Sequence, residues 1–416
     1  MENIIMQNGS KAKRAAVGAC IALFANMGMN SVFTIFLPEF MKEWPDADVA
    51  TIALAATFGC AMAFICSTFL TGPLLKKLQP RTIFLVCAVL AVIYCGLYYA
   101  ATSVTMLIIA GLFGGMVLSF GVHAMGVAAI TPYFADYGKK VSVVIGIVLA
   151  SAALGAAIFS FIPGYLIPAM GWRKVFIVIG AAVTLCNILA FVIIPKAPAP
   201  QGTAGAAADP SASLPGLTMK QALGTPSFWL VFVGVLFLTI MYQGLCTYMP
   251  TFLQVCGMST ETSSSMQGIM QLVGIVFILA GGALVTKIGV RGLIVFAAAP
   301  LAVGCLIYAL VFPSEPTVWL AVACSVLCVS GGVITNVCSA VTPVLFGARS
   351  MNQINSIYSG GAFWGGAALA SQVVGRVVTA TESYSDGFIT AAVIGVVGMF
   401  ILFVALAMNP MKKAGK

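Results

Sequence analysis

Charge is what this sequence has least of. Only 7% of its 416 residues are charged, with 11 Asp and Glu together and a single His. A soluble domain carries ~25% charged residues and needs them to keep its surface solvated. A soluble globular protein is therefore excluded, as are a disordered chain, a collagen and a nucleic-acid-binding module. Acidic residues are missing from the middle of every apolar run, which disfavours proton coupling through an embedded carboxylate. Glu39, just past Pro38, comes nearest, at the outer edge of a run. A disulfide framework is missing too. Of the 12 Cys all but Cys256 fall inside apolar runs, where a free thiol acts as a small hydrophobe. Cys324 and Cys328 share a helical face, but no His or further ligand stands near them, so no metal is expected. Neither a phosphate-binding loop, a zinc motif nor a nucleophile triad occurs, so no enzyme and no cofactor are expected. A cleavable signal peptide is not expected either. The apolar run after Lys11, Lys13 and Arg14 is too long for one and reads as a retained membrane helix.

What is present is apolar. Hydrophobic residues make up 61%, against an ordinary ~45–50%. A spanning helix needs ~20 mostly apolar residues. Breaks at charges, Pro and Gly give twelve such runs, at 15–38, 51–75, 82–101, 105–131, 142–168, 174–195, 227–253, 263–285, 292–312, 317–346, 353–378 and 386–409. With the N-terminus in the cytoplasm, 16 of the 20 Lys and Arg fall on that side, and only Lys42, Arg173, Lys174 and Arg376 fall outside. This asymmetry accounts for the net charge of +9, fixes both termini inside and requires an even number of spans. Residues 196–217, rich in Pro, Ala, Gly and Ser, cannot bury a core and read as a flexible cytoplasmic linker. Leu217–Leu223 follows as a short amphipathic turn. The expected organisation is an N-terminal bundle (1–195), a linker with its interfacial segment (196–226) and a C-terminal bundle (227–416).

The two halves repeat each other weakly but in order. Gly72–Arg81 (GPLLKKLQPR) aligns with Gly282–Arg291 (GALVTKIGVR) at an offset of 210, keeping Gly, Lys and Arg in place. Leu37-Pro38 aligns with Met249-Pro250, and Thr131-Pro132 with Thr342-Pro343, at offsets of 211–212. Both decapeptides match in part the G-x-x-x-D-R-x-G-x-R/K loop of the major facilitator superfamily, with Lys76 and Thr286 at the acidic position and Gly289 as the second glycine. The Gly-Trp-Arg-Lys-Val-Phe run at 171–176 fits as well. The chain resembles that superfamily over nearly its whole length. The resemblance implies an all-α membrane protein of twelve transmembrane helices in two pseudo-symmetric six-helix bundles, acting as a monomer in a bacterial plasma membrane. Tyr133-Phe134 with Lys139-Lys140, then Gly146, Ala150, Ala153 and Gly155, is similar to the oxalate–formate antiporter and monocarboxylate porter branches. So is the stretch from Thr218 to Trp229. Two such halves imply a substrate site at mid-membrane with rocking motion around it.

Polar side chains inside a bilayer are costly and mark pathways by default. Helix 1 carries Asn26, Asn30 and Thr34 in one stripe. Ser119 and His123 lie one turn apart on helix 4, and Gln267 and Gln271 on helix 8. Helix 7 places Tyr242, Gln243 and Thr247 on one side. Helix 10 adds Thr335, Asn336 and Ser339, and helix 11 adds Asn355, Ser359, Phe363 and Trp364. In a facilitator fold these helices line the cavity. Each polar group can instead bond a neighbouring helix or its own backbone. At least two of Asn30, Tyr242, Gln243, Gln271 and Trp364 are expected to touch substrate. His123 either serves an anionic substrate or relays a proton, or else is a satisfied core histidine. Arg376, near the outer end of helix 11, either attracts anions or snorkels and pairs with Glu382. Gly146, Ala150, Ala153 and Ala157 recur at helical spacing and are expected to allow close helix crossing.

Carboxylate carriers of the resembling branches place basic residues in helices 8 or 11. Here helix 8 offers glutamines and helix 11 offers aromatics at mid-depth, which disfavours a small dianion. The leading reading is a transporter of an organic monocarboxylate, coupled by proton symport or anion exchange. A transporter or exporter of a neutral or amphipathic compound is the alternative. A receptor on the same fold ranks last, because it would be expected to add a signalling domain.

Overall fold

A computed structural model describes residues 2–70, 74, 78–122, 129–130, 133, 140–196 and 216–411. His123, Lys76, Lys77, Phe134, Lys139, Thr131-Pro132 and linker residues 197–215 lie outside them. The described residues are helical almost throughout, because a chain in lipid must satisfy its backbone polar groups internally. The first six apolar helices are α1 Ser10–Glu43, α2 Val49–Leu70, α3 Arg81–Tyr99, α4 Val104–Gly121, α5 Gly146–Met170 and α6 Trp172–Ile193. The next four are α7 Pro226–Val255, α8 Thr260–Gly282, α9 Leu284–Leu310 and α10 Val318–Phe346. Residues 351–381 form α11, whose Ser, Gln, Gly and Arg content makes it less apolar, and Tyr384–Ala407 forms α12. Eleven of these helices are long and apolar enough to cross a membrane, and α11 completes the expected twelve. Large apolar side chains such as Val89, Leu185, Val276 and Phe400 stand exposed, as a lipid-facing surface requires.

Local signals set the helix ends. Asp48 caps α2 by accepting the Thr51 N–H at 2.8 Å. Thr317 and Ser383 cap α10 and α12 in the same way. Gly289, at φ 68°, breaks the path between α8 and α9 in a conformation that only glycine adopts freely. A short helix at Met219–Leu223 opens with a Thr218–Gln221 capping box. Gly216 pairs with Gly347 in an isolated antiparallel bridge, and the Leu217 N–H donates to the Phe346 carbonyl at 2.8 Å.

Contacts divide the chain into two compact units. One holds Met1–Gln201 with Ser259–Leu272, and the other holds Gly202–Met258 with Val273–Lys416. The first residues of α8 therefore pack with the first unit.

Each unit is tied by an aromatic knot. In the first, Phe36 and Phe40 of α1, Tyr94 and Tyr98 of α3, and Trp172 and Phe176 of α6 interlock. Phe176 stacks on Tyr98 at 4.4 Å and on Phe36 at 4.3 Å, and Trp172 meets Phe40 edge-on at 5.1 Å. In the second, Tyr248 and Phe252 of α7, Tyr308 and Phe312 of α9, and Tyr384 and Phe388 of α12 do the same. Phe252 lies 5.2 Å from Phe388 and 6.0 Å from Tyr308. The six positions correspond pairwise at offsets of 212–214, so the repeat recurs as matched packing. Arg173 closes the first knot. Its guanidinium lies 4.4 Å over Trp172, pairs with Glu43 at 2.9 Å and donates to the Ala101 carbonyl at 2.7 Å. In the second knot the buried Tyr308 hydroxyl bonds the Ala321 carbonyl at 3.0 Å and Ser325 Oγ at 2.9 Å. Tyr308→Phe is expected to lower stability by about 1–2 kcal/mol, read as a fall in melting temperature without loss of helical signal.

Candidate functional site

The polar residues of the first unit separate into bonded and unbonded ones. Asn26 is fully buried and forms a reciprocal amide pair with Asn187 of α6. Asn26 Nδ2 donates to Asn187 Oδ1 at 3.1 Å, and Asn187 Nδ2 donates to Asn26 Oδ1 at 2.7 Å. Further bonds run from Asn26 Nδ2 to the Gly121 carbonyl at 3.1 Å and from Asn187 Nδ2 to the Val183 carbonyl at 2.9 Å. Asn26 is thus a packing residue here: its amide joins α1, α4 and α6 instead of facing a solute. Asn187 escaped the sequence reading, although it is the only amide in its apolar run.

Asn30 is half-buried. Its Nδ2 donates to the Asn26 carbonyl at 3.0 Å, and its Oδ1 makes no hydrogen bond among the described residues. Ser119 is buried and partnered. His123 lies outside the described residues. Gln271, half-buried, has no hydrogen bond among the described residues. At the cytoplasm-facing expectation of this unit, Tyr133 donates to the Pro195 carbonyl at 2.6 Å, and Arg81 lies 5.1 Å over the Phe191 ring. Burial pushes the Tyr133 hydroxyl pKa up, and the Arg81 charge opposes that shift.

In the second unit Tyr242 lays its ring against Gly331, inside the 3-10 turn Val329–Val333 that interrupts α10. Gln243, the next residue, is half-buried with its amide free of hydrogen bonds among the described residues. Asn336 Nδ2 donates to the Ile278 carbonyl at 2.7 Å, which ties α10 to α8. Ser359 donates to the Asn355 carbonyl at 2.8 Å within the π-helical turn Ile357–Ala362. Such turns recur at functional sites. Trp364 is half-buried and meets Phe363 edge-on at 5.5 Å. Arg376 stands exposed on α11 and, among the described residues, forms no ion pair. The expected pairing with Glu382 does not form. Glu382 sits at the left-handed C-cap of α11, φ 54°, where the helix path ends.

All twelve Cys are free, and among the described residues no group of three His, Cys, Asp or Glu is placed to hold a metal.

Apolar helices of membrane length with isolated polar groups within them define a multi-pass membrane protein. Residues 19–371 match the Major Facilitator Superfamily, and the chain belongs to that family. It acts as a transporter on small molecules in a lipid bilayer, not as an enzyme. Among solved structures it is similar to the nucleoside transporter NupG, with TM-score 0.74 and 13% identity over 95% of this chain and 98% of that one. A point variant of NupG superposes with TM-score 0.78 and 14% identity, covering 94% of this chain and 99% of that one. A bacterial homologue of the human lysosomal transporter Spinster, inward-facing and unoccupied, gives TM-score 0.73 and 15% identity over 96% and 98%. At such identities the likeness speaks for the fold alone. No curated protein sequence matches the chain.

Proposed function

We propose that the protein carries a small organic monocarboxylate across a bacterial plasma membrane by alternating access, with both termini cytoplasmic. The observation that carries this reading is Arg376, an exposed guanidinium near the outer end of α11 that no carboxylate neutralises among the described residues. An unpaired Arg in that setting is a natural partner for a planar carboxylate, which it grips through two parallel hydrogen bonds. In the unit that holds Arg376, the Gln243 amide, unbonded among the described residues, supplies a neutral polar contact, with Tyr242 and Trp364 as aromatic walls; Asn30 and Gln271 are the half-buried amides of the other unit. Coupling runs through proton symport or anion exchange, with His123 as the titratable group in the first case. The neutrality of those amides favours a second reading, a neutral or amphipathic solute.

A thermal-shift panel separates the two. Each carboxylate is paired with its amide or ester and added at a hundredfold excess over its dissociation constant, where binding stabilises the folded state by ~2.7 kcal/mol. Carboxylates alone are expected to raise the melting temperature. Equal or larger shifts with the neutral partners would reject the anion reading.

A further inference from the structure

Helix α1 carries a break at Val32, and a polar group on each side of it is left unpaired. The regular helix runs to Ser31 and resumes at Phe33. At the break the Ile35 N–H turns to the Val32 carbonyl at 3.0 Å, one residue nearer than in an α-turn. Threonines elsewhere in these spans bond the carbonyl one turn back. Thr239 reaches Val235 at 2.9 Å, Thr247 reaches Gln243 at 2.7 Å and Thr342 reaches Cys338 at 2.7 Å. For Thr34 that carbonyl is the one of Asn30, across the break. Thr34 Oγ1 is buried and makes no hydrogen bond among the described residues.

Asn30 stands one turn earlier with its amide oriented. Its Nδ2 is used on the Asn26 carbonyl at 3.0 Å, so the unpaired atom is Oδ1, which accepts and cannot donate. A glycine keeps the space beside it open. A Cβ added at Gly114 of α4 would lie 3.6 Å from Asn30 Oδ1 and 2.7 Å from the Tyr94 ring of α3, so the two border one recess within the first unit. The repeat marks the same position. At the offset of 212 that aligns Leu37-Pro38 with Met249-Pro250, the counterpart of Asn30 in the second half is Tyr242.

A half-buried acceptor discriminates by what a solute lacks. A solute that brings an O–H or N–H replaces the water it expels from Oδ1. One that brings only carbon or an ether oxygen expels that water and leaves the oxygen unmet. We propose that Asn30 Oδ1, with Thr34 beside it, selects solutes that donate a hydrogen bond, so that the cargo is a hydroxylated or aminated small molecule and not a plain alkyl or aryl acid. The inference rests on the transporter reading above and, in its leading form, makes the solute a hydroxy- or amino-monocarboxylate. It does not depend on the carboxylate.

Binding titrations of the full-length protein in detergent test it. On a propanoate and a phenylacetate skeleton they compare the hydroxy, amino, methoxy and unsubstituted acids, substituted at the carbon next to the carboxylate, and the methyl ester of each. Wild type is expected to bind the hydroxy or the amino form about tenfold tighter than the methoxy and unsubstituted forms. Whichever of the two is tighter identifies the donor. Asn30→Leu, close in shape but without the acceptor, is expected to erase that margin, and Thr34→Val to narrow it. Asn30→Asp, which keeps an oxygen acceptor in the same shape, is expected to retain it on the esters. If the acids fail to bind while the esters show a margin that Asn30→Leu erases, the donor rule stands and the anion reading fails. If the acids bind equally well whatever the substituent, the anion reading stands and the donor rule is overturned. A margin that survives Asn30→Leu, or a panel in which nothing binds, overturns it as well.

Discussion

Replacing Arg376 by Gln is expected to abolish carboxylate-dependent stabilisation while leaving the resting melting temperature nearly unchanged. The two halves of that result have different physical origins. The guanidinium is exposed and forms no ion pair among the described residues, so removing its charge breaks nothing in the folded chain. A bound carboxylate, by contrast, would lose a charge-assisted contact of about 1.5–3 kcal/mol, or roughly ten- to a hundredfold in affinity. Arg376→Lys keeps the charge but not the planar fork, and is expected to recover only part of the affinity. Binding titrations of wild type and both variants against one carboxylate and its amide check this. Equal carboxylate affinity in wild type and Arg376→Gln would remove Arg376 from the site and leave the neutral-solute reading standing.

A Leu at position 155 is expected to prevent accumulation of folded protein. The Phe24 carbonyl of α1 occupies the space that a Cβ at Gly155 would need. The obstacle is backbone, so no rotamer change relieves it and the two helices must part. Parting them breaks the bonds from Ser31 Oγ to the Ala156 carbonyl at 3.0 Å and from Ser151 Oγ to the Cys20 carbonyl at 3.1 Å. Overpacking alone costs about 1–3 kcal/mol, and the lost ties add to it. Gly146 is the control on the same helix. Nothing lies within 4 Å of a Cβ added there, and Gly146→Ala is expected to be neutral or to stabilise by up to about 1 kcal/mol through helix propensity. Size-exclusion profiles and melting temperatures of the two variants read the contrast. A monodisperse, normally melting Gly155→Leu protein would show that this crossing does not hold the bundle.

These two glycines show where the sequence stops being informative. Gly146 begins the small-residue stripe Gly146, Ala150, Ala153 and Ala157, whereas Gly155 lies nine residues on, about half a turn round the helix, and the spacing tells the two faces apart but not which of them another helix covers. Gly146 faces open space and Gly155 faces a carbonyl, because the partner residues come from α1, more than a hundred positions earlier. The polar stripe of α1 behaves likewise. Asn26 and Asn30 are one turn apart and chemically identical, yet Asn187 pairs with the first and, among the described residues, no side chain hydrogen-bonds the second. The aromatic knots were legible in principle. Their members repeat at offsets of 212–214, close to the 210–212 of the motifs that do reveal the repeat. Aromatics scattered through apolar runs carry no such signal until their contacts are known.

A membrane protein of twelve helices with a repeated plan and facilitator kinship was already legible in the order of the residues. Those properties follow from composition and short motifs: whether a segment enters lipid depends on its own residues, and a loop motif is read within ten positions. Packing settled which polar groups are already bonded, which glycines are contacts, that Arg376 and Glu382 do not pair, and that Ser264 Oγ and Gln267 Oε1 are buried with no hydrogen bond among the described residues. Each of these is a relation between side chains, or between a side chain and a turn of backbone, brought together by packing. Hydrogen bonds reach about 3 Å, so a residue's partner is fixed by three-dimensional position and not by its neighbours in the chain.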